Sequence, residues 1–283
     1  DPAIQKALRP RGNNLEDIML GECRVNTWKN TSAGKSLIGY GSAVRVTSQT
    51  FVTNAHVVDS VDPDVTYSYV CNGAREGDTY RGELEIEGMS DYADVAVMSP
   101  VDDLNNSGNH VYTSVPMRRG VMHDRIHTFE LLDHELPSQN VSVEEERLDT
   151  GLQGNYIGVP APLDSITHRV HGGAVREFEG YVYPSDVFDP ATCEYTSDCS
   201  SLTPGSVPAW PGDSGSGVYT SQGEQYHLTG IVAAQNRNNC GPGNCESDMW
   251  NTPLLGEPRK KSRALFENAA TVHNLLKEVY GLD

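Results

Sequence analysis

Short runs of β-branched and aromatic residues alternate with turn residues along the first hundred positions: "GSAVRVTS" at 41–48, "TFVTNAHVV" at 50–58, "VTYSYV" at 65–70 and "DVAVMS" at 94–99. Such residues suit a pleated, half-buried surface and the Gly, Pro, Ser and Asn between them allow reversals, so the spacing predicts an antiparallel all-β unit. The rhythm breaks from 116 to 150, where "HTFELLDHEL" and "SVEEERLDTG" are rich in Glu, Asp and His. That stretch reads as a connection between two β units, partly helical. Strand signals return in "NYIGVPAP", "THRVHGGAV", "EGYVYPS", "GSGVYTS" and "YHLTGIVAA", so the second unit looks like the first. Leu265, Ala269, Val272, Leu276 and Val279 then recur at helical spacing and Gly281 supplies a stop, which predicts a C-terminal amphipathic helix packed on the β units. No internal repeat or low-complexity tract interrupts this plan.

Composition narrows the function classes. The chain has 283 residues, enough for two small domains or one large one. Its 21 basic and 39 acidic residues give a formal charge of −18, which argues against nucleic acid or an anionic membrane as a partner, because both reward clustered cations. The cluster Arg259-Lys260-Lys261-Ser262-Arg263 reads as a solvated loop before the helix. The sequence starts at Asp1 without an apolar h-region and holds no apolar run of about 18 residues, so the expectation is a processed, soluble, monomeric product. Six cysteines divide by spacing into Cys193 with Cys199, Cys240 with Cys245, and the long-range pair Cys23 with Cys71. Their neighbours match no tetrahedral zinc pattern, so disulfides in an oxidising, secreted context are expected, with no metal and no cofactor. Asn30-Thr31-Ser32, Asn105-Asn106-Ser107 and Asn140-Val141-Ser142 are glycosylation sequons in keeping with that route.

Chemistry enters with "WPGDSGSGVY" at 210–219. Gly212-Asp213-Ser214-Gly215 is able to form a tight turn that exposes the Ser214 hydroxyl and aims amide N–H groups at one point, as an acyl-transfer nucleophile requires. A serine hydroxyl is a weak nucleophile at neutral pH, so a base must lie within hydrogen-bond reach and a shielded carboxylate must fix that base's tautomer. Of nine histidines, His56 is the one placed at the end of a strongly apolar strand. His123, His127 and His134 fall in the polar connection, His168 and His171 flank a Gly pair, and His273 rides the terminal helix; these read as structural or solvated. For the acid, Asp94 opens an apolar run that would shield it, and burial favours it over Asp91.

"TNAHVV" around His56, "DVAVM" at Asp94 and "GDSGSG" around Ser214, in that chain order, resemble the chymotrypsin-like serine endopeptidases, in flavour the bacterial and viral members. The order His, Asp, Ser separates them from subtilisins and α/β-hydrolases. "VHGGAVREFEGYV" at 170–182 is similar to a Gly-spaced hairpin of bacterial members, and "LTGIVAA" at 228–234 to the family's substrate-binding strand. The likeness covers residues 37–282, with a connection after Asp94 longer than usual. It implies an all-β fold of two antiparallel β-barrels with the active site between them, plus a C-terminal α-helix. The corresponding division is 1–36 as an extension with the first strand, 37–115 as the first barrel, 116–150 as the connection, 151–258 as the second barrel and 259–283 as the helix. It also implies that Ser214 attacks a peptide carbonyl, His56 moves the proton, Asp94 orients His56, and the N–H groups of Gly212 and Ser214 hold the oxyanion.

Several features depart from that family. No Ile-Val-Gly-Gly-like segment is present to pair with Asp213, which leaves an arginine as the expected partner, and no cysteine pair brackets His56. "RPRG" at 9–12 reads equally as a cleavable activation site or a flexible extension. Counting back from Ser214 as the family does places Pro208 and Ala209 at the floor of the specificity pocket, with Val232, Ala233, Ala234 and Gln235 along the opposite wall. None is charged, which predicts an apolar or small residue before the cut, while Arg237 and His227 keep an acidic residue as the alternative. The competing function is an inactive barrel pair used as a binding module. A metal-dependent hydrolase lacks any His-Glu-x-x-His spacing to support it.

Overall fold

A computed structural model describes residues 18, 20–60, 62–72, 79–102, 117–121, 124–132, 166–170, 173–182, 202–205, 207, 209, 212–235 and 264–281. Strands β1 (Glu22–Thr31), β2 (Gly34–Thr47), β3 (Thr50–Thr53), β4 (Val65–Asn72), β5 (Thr79–Met89) and β6 (Ala96–Pro100) close into an antiparallel barrel in the order β1-β2-β3-β6-β5-β4. The first barrel therefore takes in residues 22–36, which the sequence division had set apart with the extension. The Cys23–Cys71 disulfide joins β1 to β4 where they pair. Closing a loop of 48 residues' separation removes disorder from the unfolded chain, a contribution of about 4 kcal/mol in the loop-entropy picture. Cys193, Cys199, Cys240 and Cys245 lie outside the described residues.

The apolar runs that mark β2, β3 and β6 arise because both faces of these strands are buried. Ala43, Phe51, Ala96 and Met98 point into the barrel with Cys23, Val25, Tyr67, Tyr69 and Leu84. Their neighbours Val44, Val46, Val52, Val95 and Val97 point the other way, into a second core shared with Tyr219, Leu228 and Ile231. Those last three belong to a second, curled sheet.

That sheet has seven strands in the order β10-β13-β12-β11-β7-β9-β8: β7 (Arg125–Leu132), β8 (Ile166–Val170), β9 (Gly173–Tyr181), β10 (Leu202–Gly205), β11 (Gly217–Gln222), β12 (Gln225–Gln235) and β13 (Ala264–Asn268). An isolated bridge from Val182 to Gly205 links the end of β9 back to the edge strand β10. Its inner face buries Ile126, Val207, Ala209, Val218, Val232, Ala264 and Phe266. Two further boundaries differ from expectation. Residues 125–132, read as part of a polar connection, form β7, and Leu265, read as the first position of the helix, lies in β13 opposite Ala234.

The chain ends in helix α2 (Ala269–Tyr280), which follows α1, a single turn at Ala55–Val58. Asn268 caps α2 by accepting from Ala270 N–H (3.4 Å), and Gly281 closes it in the left-handed conformation. Val272, Leu275 and Leu276 join the core between the two sheets, as does the fully buried Ile18. At the far end Tyr280 and Thr50 share a hydrogen bond of 3.2 Å, so α2 leaves the second sheet and seats its last turn on the barrel. The architecture is thus mostly β, a closed barrel against a curled sheet with a strapping helix. None of the helices among the described residues is long and apolar enough to cross a membrane.

Candidate active site

"TFVTNAHVV" does not run as one strand: β3 stops at Thr53, and His56 sits on the α1 turn that follows. The reason is a tertiary contact. Asn54 is fully buried and its side-chain amide donates to the Asp94 carbonyl (2.7 Å), turning the chain out of the sheet. Asp94 then receives the turn from below: Oδ1 accepts His56 N–H (2.9 Å) and Oδ2 lies 2.6 Å from His56 Nδ1. One carboxylate thereby fixes both the backbone and the ring of the histidine. The Asp94 side chain is 4% exposed and the His56 side chain 30%, so the acid is shielded while the imidazole keeps an accessible edge. Asp91, its competitor, is exposed.

Ser214 lies in the loop between β10 and β11, half-buried, flanked by Gly212 (φ +99°) and Gly215 (φ +92°). Both angles fall in the left-handed region that disfavours a side chain. Gly215 is further constrained, since a Cβ there would stand 1.9 Å from the Ser42 carbonyl oxygen and 2.4 Å from Thr53 Oγ1. The loop is pressed on the barrel at Ser42, whose hydroxyl donates to Gly212 O (2.8 Å) and whose N–H donates to Ser214 O (2.7 Å). Thr53 Oγ1 donates in turn to Ser42 O. Gly41 marks where the parts meet: a Cβ on it would lie 2.8 Å from the Val57 methyls, next to His56, and 3.1 Å from Ser214 O. The structure therefore brings the His56 turn, Asp94 and the Ser214 loop to one seam, between the barrel and the curled sheet.

Two backbone donors of the loop are spoken for: Gly215 N–H goes to Val232 O and Ser216 N–H to Asp213 O, each at 2.8 Å. The N–H groups of Gly212 and Ser214 donate to no protein group among the described residues. Beyond Val232, β12 continues through Ala233, Ala234 and Gln235, paired with β13 on one side and past the start of β11 on the other. Ala209 and Val232 share the inner apolar core of the curled sheet, whereas Ala233 and Ala234 pack with Leu202 and Leu265. His227 is buried on β12 opposite Thr220, and Asp213 is buried in the loop. Pro208 and Arg237 lie outside the described residues, as do the Asn105 and Asn140 sequons; Asn30 is at the end of β1 beside the hairpin turn.

Two buried acids at this seam are not singled out by the sequence. Glu267 on β13 accepts Asp94 N–H (3.0 Å), and Glu22 on β1 accepts Gly217 N–H (3.1 Å) and Tyr219 O–H (2.6 Å). Burial pushes the Glu22 carboxyl up to about 8, and the nearby Asp213 charge adds to the rise. A faint signal exists for each: Glu22 sits next to the disulfide-forming Cys23, and Glu267 interrupts the apolar "ALF" of β13. No protein-family model matches the chain, and a search of curated proteins finds no significant similarity.

Proposed function

We propose that the protein is a secreted serine endopeptidase of the chymotrypsin-like kind, cutting peptide bonds through an acyl-enzyme. The observation that carries this reading is the double grip of Asp94 on His56, 2.9 Å to the backbone N–H and 2.6 Å to Nδ1, at the seam that also holds the Ser214 loop. Held at Nδ1, the neutral ring carries its proton there and leaves Nε2 as the base. Ser214 Oγ attacks the scissile carbonyl carbon as Nε2 takes the hydroxyl proton. The N–H groups of Gly212 and Ser214 donate to the developing oxyanion, an interaction whose loss typically costs about 2.7–4 kcal/mol per donor. Collapse of the tetrahedral species expels the amine, protonated by His56, and water then hydrolyses the ester by the same steps.

Among the described residues no strand pairs with Ala233–Gln235 of β12 on the side away from β13, which supports an extended peptide lying alongside as an added strand. The apolar cluster that holds Ala209 and Val232 supports an apolar or small side chain before the cut. The Cys23–Cys71 disulfide supports an oxidising compartment. A fluorophosphonate probe should label the protein at Ser214, with labelling abolished in Ser214→Ala and unaffected by chelators. A native, folded protein that stays unlabelled would favour the inactive binding module instead.

A further inference from the structure

Alternation along β1 sends Cys23 and Val25 into the barrel and Glu22 and Arg24 outward. On an ordinary barrel the outward side meets water, but here the curled sheet covers it and Glu22 is 2% exposed. A carboxyl group in such a place is costly unless its oxygens are satisfied. Its partners are specific: Oε1 accepts from Gly217 N–H and from the Tyr219 hydroxyl, both on β11, across nearly two hundred residues of chain. Gly217 is where the Ser214 loop ends and β11 begins. The other end of the loop is gripped by Ser42, which stands opposite Arg24 in the β1–β2 pairing. The β1–β2 hairpin thus holds the loop at both ends, Ser42 at Gly212 and Ser214, Glu22 at Gly217. The Cys23–Cys71 bond immobilises β1 next to Glu22.

We propose that Glu22 is a positioning residue that clamps the far end of the Ser214 loop to the barrel, so that the serine is presented towards His56 by the opposite half of the molecule. This rests on reading Ser214 as the nucleophile. Because Glu22 keeps its proton near neutral pH, what the clamp needs is a neutral acceptor of the right shape and not a charge. A glutamine carbonyl has that shape, and an alanine methyl does not.

The test compares wild type, Glu22→Gln, Glu22→Ala and Tyr219→Phe by three measurements: fluorophosphonate labelling rate, kcat and KM on a peptide substrate, and amide hydrogen exchange over residues 212–219. Glu22→Gln should label within about threefold of wild type, while Glu22→Ala slows labelling and lowers kcat by about tenfold or more with KM changed less than about threefold. Exchange over 212–219 should rise in Glu22→Ala and not in Glu22→Gln. Tyr219→Phe, which removes one donor and adds no void, should show the same changes in smaller degree and serves if Glu22→Ala fails to fold. Folded Glu22→Ala or Tyr219→Phe with wild-type labelling and exchange would overturn the clamp. If wild type itself is not labelled, the nucleophile reading fails, and the exchange comparison still decides the clamp.

Discussion

The backbone N–H of Asp94 donates to Glu267 Oε1 at 3.0 Å, joining the residue that grips His56 to the strand β13 of the opposite sheet. Both residues are buried. An N–H left without its acceptor in such a place costs about 1–3 kcal/mol. Glu267→Ala should therefore destabilise the fold by about 2 kcal/mol or more and loosen Asp94, whereas Glu267→Gln, which keeps a carbonyl acceptor, should lose less. Urea unfolding midpoints of the two variants check the difference.

Asp94→Asn separates the orienting role of the acid from its packing. The amide fits the same space, but its NH2 group faces a ring nitrogen or a backbone N–H that previously met an oxygen. The ring is then driven to the tautomer that carries its proton on Nε2, the wrong one for a base. On the proposed mechanism kcat falls by about 10⁴ while thermal unfolding shifts by only a few degrees. A fall below about tenfold would remove Asp94 from the mechanism.

Gly215 and Gly223 both have positive φ, yet they differ in surroundings. A Cβ at Gly223 (φ +66°) meets nothing within 4 Å, while one at Gly215 would collide with the Ser42 carbonyl. Gly223→Ala bears backbone strain alone, about 1 kcal/mol. Gly215→Ala bears strain and a clash with backbone that is itself held by Thr53, and should cost more than about 3 kcal/mol or prevent folding. Denaturant titration of the pair distinguishes a turn glycine from one required by close approach.

What the sequence revealed followed from where burial leaves a periodic trace. The two-sided burial of β2, β3 and β6 writes long apolar runs, and these delivered the strands that His56 follows and Asp94 precedes. The end of β3 at Thr53 was hidden, because α1 is made by a tertiary bond from Asn54 to Asp94 and not by helical propensity. β7 was hidden for a different reason: Glu130 and His127 break its apolar alternation, and His127 is satisfied inside by Ser221 Oγ at 3.0 Å. Leu265 fell into the wrong element because the apolar spacing of α2 continues by chance through the end of β13. A place next to Cys23 or at the end of an apolar run is too weak a mark to single out Glu22 and Glu267 among 39 acids, since only the docking of one sheet on the other buries them.

Glu22 also makes stability depend on pH in a direction opposite to most carboxylates. Its unfolded value is the ordinary 4.5 and burial raises it to about 8 in the folded protein, despite the hydrogen bonds from Tyr219 and Gly217 that favour the charged form. Between these values the folded state holds a proton that the unfolded state has released, so stability must fall as pH rises. The sign follows from the proton count: the contribution is fully present below about 4.5, is lost progressively from there to about 8, and is level above. The slope through that window approaches about 1 kcal/mol per pH unit. Glu22→Gln, which never ionises, removes this slope while keeping an acceptor for Gly217. Urea unfolding of both proteins at intervals from pH 5 to 9 should therefore show wild type losing stability relative to Glu22→Gln as the pH climbs. Parallel curves would mean that Glu22 is ionised throughout.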